Sequence, residues 1–150
     1  MRAISLWQPW ASLWLSDLKL HETRHWPTKY RGPLLVHAAK KIVFDLDITL
    51  NEIVEDEFGP HWGIELTRGA IIGEVELVDC ISTNYFPAAY SITDDAICGN
   101  FEPDRFAWRR GKFTKFVNPI PYKGRQQFFD VKITGEMRDA ERGRAAGGRG

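Results

Sequence analysis

The chain has 150 residues, of which 43% are hydrophobic and 27% charged, and 20 basic and 20 acidic residues give a formal net charge of zero. This length is typical of one domain with a buried core, and the apolar content excludes a wholly disordered chain. No apolar run approaches the roughly 18 residues of a membrane span, and Cys80 and Cys98 are too few for a disulfide framework. We therefore expect a cytoplasmic protein without a membrane role.

The pattern of apolar residues predicts three short strands and two helices in the first half of the chain. The strands are expected over residues 3–6, 21–26 and 34–36, and the helices over residues 9–17 and 45–57. Pro9 suits the first turn of the first helix, and Gly59 and Pro60 end the second. The second helix carries acidic residues on a face that is typical of a solvated surface.

Further strands are expected in the second half, around a polar excursion. Residues 70–81 predict a long strand, in which Gly73 indicates a bulge or sharp bend. Residues 83–104 are polar with weak helical character near residues 93–97. More strands are expected within residues 106–116 and 128–133, on either side of a turn-rich stretch over residues 118–121.

These elements predict an α+β fold with five or six strands and two or three helices, because strands and crossover helices do not alternate regularly. The expected domain covers residues 1–135, and residues 136–150 form an Arg/Gly/Ala-rich tail that we expect to be disordered.

The charges are unevenly distributed along the chain. Residues 19–41 contain six basic residues and one acidic residue, and residues 105–125 contain seven basic residues and no acidic one. Residues 44–66 contain seven acidic residues and no basic one. A positive surface for nucleic acid forms if the two basic segments share a face; alternatively, the acidic and basic surfaces neutralise one another.

Several separated motifs occur along the chain in a specific order. They are SLWQPWA at residues 5–11, KLHETRHW at 19–26, YRGPLLVHA at 30–38, and shorter segments at 71–75, 78–80, 106–108 and 119–124. Together they resemble the ASCH (activating signal cointegrator homology) domain family, a branch of the PUA-like superfamily, over residues 2–134. The resemblance implies a small, partly open β-barrel flanked by helices, with a cleft beside the family's GxKxxExR motif.

In this chain Lys19, Glu22 and Arg24 match that motif, and Asp17 replaces its glycine. This replacement puts the turn geometry of the family motif in question for this chain, because positive φ is disfavoured for non-glycine residues. The resemblance associates the chain with RNA or nucleic-acid binding, and for some members with RNA cleavage or hydrolysis of N4-acetylated cytidine. The amidohydrolases use a Lys and a Thr of this motif. Glu22 stands at the Thr position, and Thr23 would point to the opposite face of a strand, so that reaction does not transfer cleanly.

Glu22 and Arg24 are two residues apart, so they share one face of a regular strand. In a binding site, Lys19 and Arg24 would hold a phosphate or a base edge while Glu22 accepts a hydrogen bond from an exocyclic amine. In an enzyme, Glu22 would be the general base and Lys19 would stabilise developing negative charge. A third interpretation is an ion-pair network that only fixes the turn.

We expect the cleft to bind RNA, another single-stranded nucleic acid or a modified nucleoside, without a cofactor or a metal. The expected ligand-binding residues are Trp7, Gln8, Trp10, Lys19, Glu22, Arg24, Tyr30, Arg31 and Lys40. One alternative is a hydrolase in the same cleft, an N4-acylcytidine amidohydrolase or a metal-independent ribonuclease, with Lys19 and Glu22 as catalytic residues. Another is a protein-interaction module that uses the acidic helix. His21 and His25 would lie about 13 Å apart in a strand, too far for a shared metal.

Overall fold

A six-stranded mixed sheet organises the chain; the structure, a computed structural model, describes residues 1–132 and 134. Its strands are β1 (Arg2–Gln8), β2 (His21–Arg24), β3 (Gly32–Ile42), β4 (Ala70–Ser82), β5 (Phe106–Pro121) and β6 (Phe128–Asp130). Their order across the sheet is β2-β5-β4-β3-β1-β6, and β1 and β3 run parallel while the other neighbours are antiparallel. The predicted α+β fold is confirmed.

Short helices connect the strands. They are α1 (Trp10–Trp14), α2 (Ile48–Phe58), α3 (Trp62–Glu65) and α4 (Asp94–Ile97), with 3₁₀ turns at Thr83–Tyr85 and Ala88–Ile92. The helix predicted over residues 9–17 is shorter and ends in a tight turn, where the Ser16 N–H and hydroxyl both donate to the Leu13 carbonyl. Helix α2 begins where the Asp47 side chain caps the Leu50 N–H. No helix within residues 1–132 has the length and apolar character needed to cross a membrane.

Two strands differ in extent from their predictions. Strand β3 continues well beyond residues 34–36, because it pairs with β1 on one side and β4 on the other. Strand β5 runs through residues 118–121, which were expected to form a turn. There β5 pairs only with β4, since β2 ends its pairing at Arg109, so prolines that lack an N–H are tolerated on the open side. Ile133 and the predicted tail over residues 136–150 lie outside the described residues.

The sheet curls until its two edges approach one another. Trp26, just after β2, lies with its ring centroid 5.7 Å from that of Phe128 in β6. Nearby, Arg24 of β2 donates a 3.1 Å hydrogen bond to the Ser5 carbonyl of β1. Within the described part of the chain, strand β6 pairs only with residues 2–4 of β1, and no described strand lies in the gap between residues 5–8 of β1 and β2. This gap in a partly open barrel contains the candidate site.

The bulge predicted at Gly73 is present, because the register of β4 shifts there against both β3 and β5. A Cβ at this position would lie 2.5 Å from the Thr114 carbonyl oxygen and 2.6 Å from Leu15 Cδ1. Two neighbouring elements therefore approach the backbone too closely for any other residue.

We expect Gly73→Ala to lower the free energy of unfolding by about 1–3 kcal/mol, the usual effect of overpacking a core. Urea denaturation measures this change. The matched control is Gly63→Ala, whose Cβ would meet only the ring of Phe44, an exposed side chain that can move. Equal effects of the two substitutions would contradict the packing role assigned to Gly73.

Candidate functional site

A cavity of about 540 Å³ lies in the gap between β1 and β2. Strand β1 and helix α1 contribute Trp7 and Trp10 to its wall, and β2 with the preceding turn contributes the motif residues. The remaining polar wall comes from Asp47 before α2 and from Asn100 and Arg105 after α4. Five residues expected at the site therefore line one cavity: Trp7, Trp10, Lys19, Glu22 and Arg24.

The floor of the cavity is a network of three charged side chains. Lys19 is wholly buried, and its Nζ donates to the carbonyl oxygens of His21 at 2.8 Å and Cys98 at 3.1 Å. The same ammonium lies 3.1 Å from Glu22 Oε1, so each of its three hydrogens has an acceptor. The other carboxylate oxygen of Glu22 lies 3.2 Å from Nε of Arg24. Lys19 thus acts on Glu22, while the partly exposed Arg24 is open to a ligand.

The turn before β2 is held by the buried side chain of Arg110. Its guanidinium donates to the carbonyl oxygens of Ser16 and Lys19. Asp17, which replaces the motif glycine, has no positive φ: the only non-glycine residues of the described chain with positive φ are Asp104 and Gln127. The turn therefore accommodates Asp17 without strain, and its exposed carboxylate lies outside the cavity lining.

Helix α4 is attached to β2 through Asp95. One oxygen of this buried carboxylate accepts from the backbone N–H groups of Leu20 and His21, at 2.6 and 2.9 Å. The other accepts from Nδ1 of His21 at 2.6 Å and from the Tyr90 hydroxyl. Burial alone would raise the pKa of Asp95, but the hydrogen bonds from His21 and Tyr90 outweigh it and lower that pKa to about 2. The ionised carboxylate fixes one wall of the cavity.

Four residues expected at the site lie elsewhere. Gln8 is wholly buried and bonds to Ser12 and to the Thr67 carbonyl, because it lies on the face of β1 opposite to Trp7. The remaining three are Tyr30, whose ring packs on Phe128; Arg31, which bonds to the Thr28 and Tyr30 carbonyls; and Lys40, whose stem lies beside Gly69. All four have structural contacts and none lines the cavity.

Arg105 is a site residue that the sequence reasoning missed. Its guanidinium donates to the carbonyl oxygens of Thr23 and Asn100, which brings it to the cavity wall. The sequence signal was its position at the start of the basic segment 105–125, but no local spacing relates it to β2. With Lys19 and Arg24 it gives the lining three cations against two carboxylates, Glu22 and Asp47. Among the residues that the structure describes, no three His, Cys, Asp or Glu side chains are grouped to hold a metal.

We expect Lys19→Met to lower the free energy of unfolding by about 3–5 kcal/mol, because Glu22 loses its wholly buried counter-charge and keeps only the partly exposed Arg24. Thermal or urea denaturation measures the loss. The double variant Lys19→Met/Glu22→Gln should recover part of it, since the carboxylate that lost its buried partner is gone. An exposed lysine of β5 supplies the control, Lys112→Met, which should be nearly neutral. A stable Lys19→Met protein would contradict the buried network.

We expect Asp95→Asn to lower the free energy of unfolding by about 2 kcal/mol at pH 7, from a pKa near 2 in the fold against an ordinary value of 3.8. The folded-state pKa is depressed, so this stabilisation is complete above pH 5 and disappears as the pH falls from about 4 to about 2. Denaturation of both proteins across this range measures it. The difference between wild type and variant should narrow on acidification; a constant difference would contradict the assignment.

Comparison with known proteins agrees with this architecture. The chain is 34% identical over 89 residues to activating signal cointegrator 1 of Homo sapiens, and equally to that of Mus musculus. Each match covers 55% of this chain but only 15% of the relative, so the chain corresponds to a small part of those proteins.

Among solved structures, the fold is similar to that of ASCH from Zymomonas mobilis, with a TM-score of 0.57 and 14% identity over 93% of this chain and 92% of that one. A mutant of the same bacterial protein gives a TM-score of 0.50 at 13% identity, over 87% and 89% of the two chains. The model of the ASCH domain matches residues 4–120. That range includes the cavity floor and nearly the whole sheet, and this protein therefore belongs to the ASCH domain family.

Proposed function

We propose that this protein binds RNA, and that one of its bases, or a modified nucleoside, occupies the cavity between β1 and β2. The observation that carries the proposal is the placement of Glu22 and Arg24 on the floor of a cavity walled by Trp7 and Trp10. The cavity volume of about 540 Å³ falls within the range of about 300–1,000 Å³ that is usual for small-molecule sites. Family membership supports the proposal, because ASCH domains are associated with RNA binding.

The floor offers both kinds of hydrogen-bonding group that a base edge requires. Glu22 accepts from an exocyclic amine, as carboxylates do from N4 of cytosine. Arg24 donates one Nη2 hydrogen to the Ser5 carbonyl, and it has further N–H groups that can donate to a base carbonyl or a ring nitrogen. In this arrangement Lys19 is a positioning residue, because its three hydrogens already have acceptors.

The charge of the lining favours a base over a polyphosphate. Three cations and two carboxylates leave a net of +1, with His25 counted as neutral. A pyrophosphate would meet Glu22 and Asp47 at close range, whereas a neutral base would use both charge signs. The indole of Trp10, partly buried in the wall, supplies a surface on which an unstacked base can pack.

Catalysis receives less support from the same contacts. Thr23 lines the cavity, but its Oγ1 already accepts a 2.9 Å hydrogen bond from the Asn100 N–H. The ammonium of Lys19 is wholly buried and its three hydrogens already have acceptors, so it has none left for a reacting oxygen.

We expect a labelled single-stranded RNA of eight nucleotides to bind with an affinity that falls as salt rises. Arg24→Gln and Glu22→Gln should each weaken binding about tenfold or more, because each removes a charged hydrogen-bonding partner. Fluorescence anisotropy measures the affinities, and denaturation checks that both variants fold. The control is Lys112→Gln, which removes a positive charge from an exposed position of β5.

Three outcomes decide the proposal. Weakening by the two cleft substitutions and not by the control supports it. Absence of binding, or equal effects of all three substitutions, contradicts it. Turnover of N4-acetylcytidine or of the RNA, lost in Glu22→Gln, would instead identify a hydrolase in this cleft.

A further inference from the structure

A bulge in β3 lies beside the mouth of the cavity. In the parallel pair of β1 and β3, Leu6 is opposite Ala38 but Gln8 is opposite Ile42. Strand β3 thus advances four residues while β1 advances two, so β3 contains two extra residues next to Trp7. Bulges of this kind redirect side chains and commonly lie next to functional sites.

The bulge places one of two consecutive lysines over an indole. Nζ of Lys41 lies 3.9 Å from the centroid of the Trp7 ring, a cation–π contact. The stem of Lys40 instead lies beside Gly69. Ile42 is opposite Gln8, whose side chain lies on the face away from Trp7, so the preceding residue Lys41 is on the same face as Trp7.

Trp7 combines this contact with an accessible ring surface. It lines the cavity and is 50% exposed, although the ammonium covers one of its faces. Lys41 does not line the cavity, so the indole separates the ammonium from it. The uncovered ring surface is therefore available at the mouth, with a positive charge behind it.

We propose that Trp7 and Lys41 form a second nucleotide subsite, which binds the nucleotide adjacent to the one in the cavity. This inference rests on the proposed function and specifies its ligand: a single-stranded RNA segment of at least two nucleotides, in preference to a free nucleoside. The base of the second nucleotide stacks on Trp7, and Lys41 contacts a phosphate of the strand where it passes the edge of the indole. Stacking on an aromatic side chain tolerates any base, so this subsite selects for chain length and single-strandedness.

The test compares three probes: cytidine monophosphate, the dinucleotide CpC and the hexanucleotide of cytidine. We expect CpC to bind at least tenfold more tightly than the monophosphate. Trp7→Ala should weaken CpC and hexanucleotide binding by about 5- to 150-fold, the range for one stacked base, and should weaken monophosphate binding by a smaller factor, because Trp7 also lines the cavity. Trp7→Phe, which keeps an aromatic ring, should recover part of the loss.

Salt titration with the hexanucleotide tests the lysine. We expect Lys41→Gln to reduce the slope of log affinity against log salt concentration by about 0.7, the contribution of one phosphate contact to single-stranded nucleic acid. Lys41→Arg should restore the slope. The matched control is Lys40→Gln, which removes the same charge from the adjacent residue and should leave the slope unchanged.

The outcomes separate this inference from the proposed function. If Arg24→Gln weakens all three probes while Trp7→Ala and Lys41→Gln behave like Lys40→Gln, the second subsite is wrong and the cavity proposal stands. Equal affinities for the monophosphate and CpC overturn the subsite as well. If the wild-type protein binds none of the probes, both proposals are wrong.

Discussion

The rest of the site depends on the contacts that the buried ammonium of Lys19 makes with its three acceptors. An ammonium taken out of water costs several kcal/mol unless all its hydrogens are accepted. Its acceptors come from three places: the first residue of β2, Glu22, and the Cys98 carbonyl just after α4. Burial raises the pKa of the Cys98 thiol to about 11, so at neutral pH the negative charge beside Lys19 is that of Glu22. Folding must therefore bring the segment after α4 against β2, which creates a wall of the cavity.

Successive side chains of β2 alternate between two sets of partners. His21 and Thr23 point toward the segment that follows β4, where they bond to Asp95 and Asn100. Glu22 and Arg24 point toward the cavity. The same segment covers the outer edge of β2, which would otherwise expose unpaired backbone groups. The four residues of β2 thus hold the segment after β4 in place and also contribute two charged side chains to the cavity.

Local sequence patterns predicted what depends on local geometry. The motif residues Lys19, Glu22 and Arg24 are brought together because a short turn and a strand determine their relative positions. Gln8 was placed with Trp7 because both follow the strand predicted over residues 3–6, but both lie in β1, where alternation puts them on opposite faces. The sequence indicates a strand followed closely by a helix in this region, but it does not indicate at which residue the strand ends.

Long-range geometry explains the remaining differences. The position of Lys41 beside Trp7 depends on the pairing of β3 with β1, which includes two extra residues of β3, and a register shift has no signature in either strand alone. Arg105 reaches the Thr23 carbonyl across 82 positions of sequence, through the pairing of β5 with β2. A single sequence identifies such residues only when a family motif marks them, and the GxKxxExR motif does not extend to them.

The zero net charge of the chain also constrains how nucleic acid would be held. The two partly exposed cationic groups of the lining, Arg24 and Arg105, lie on the β2 side, whereas Asp47 lies before α2, within the segment that carries seven acidic residues. Phosphates would therefore be repelled from the α2 side and attracted to the β2 side, which orients a strand across the cleft. With so few cations facing the ligand, counterion release contributes little free energy. Affinity would then depend on stacking and on hydrogen bonds to the base, the two interactions for which indoles, a carboxylate and a guanidinium line this cavity.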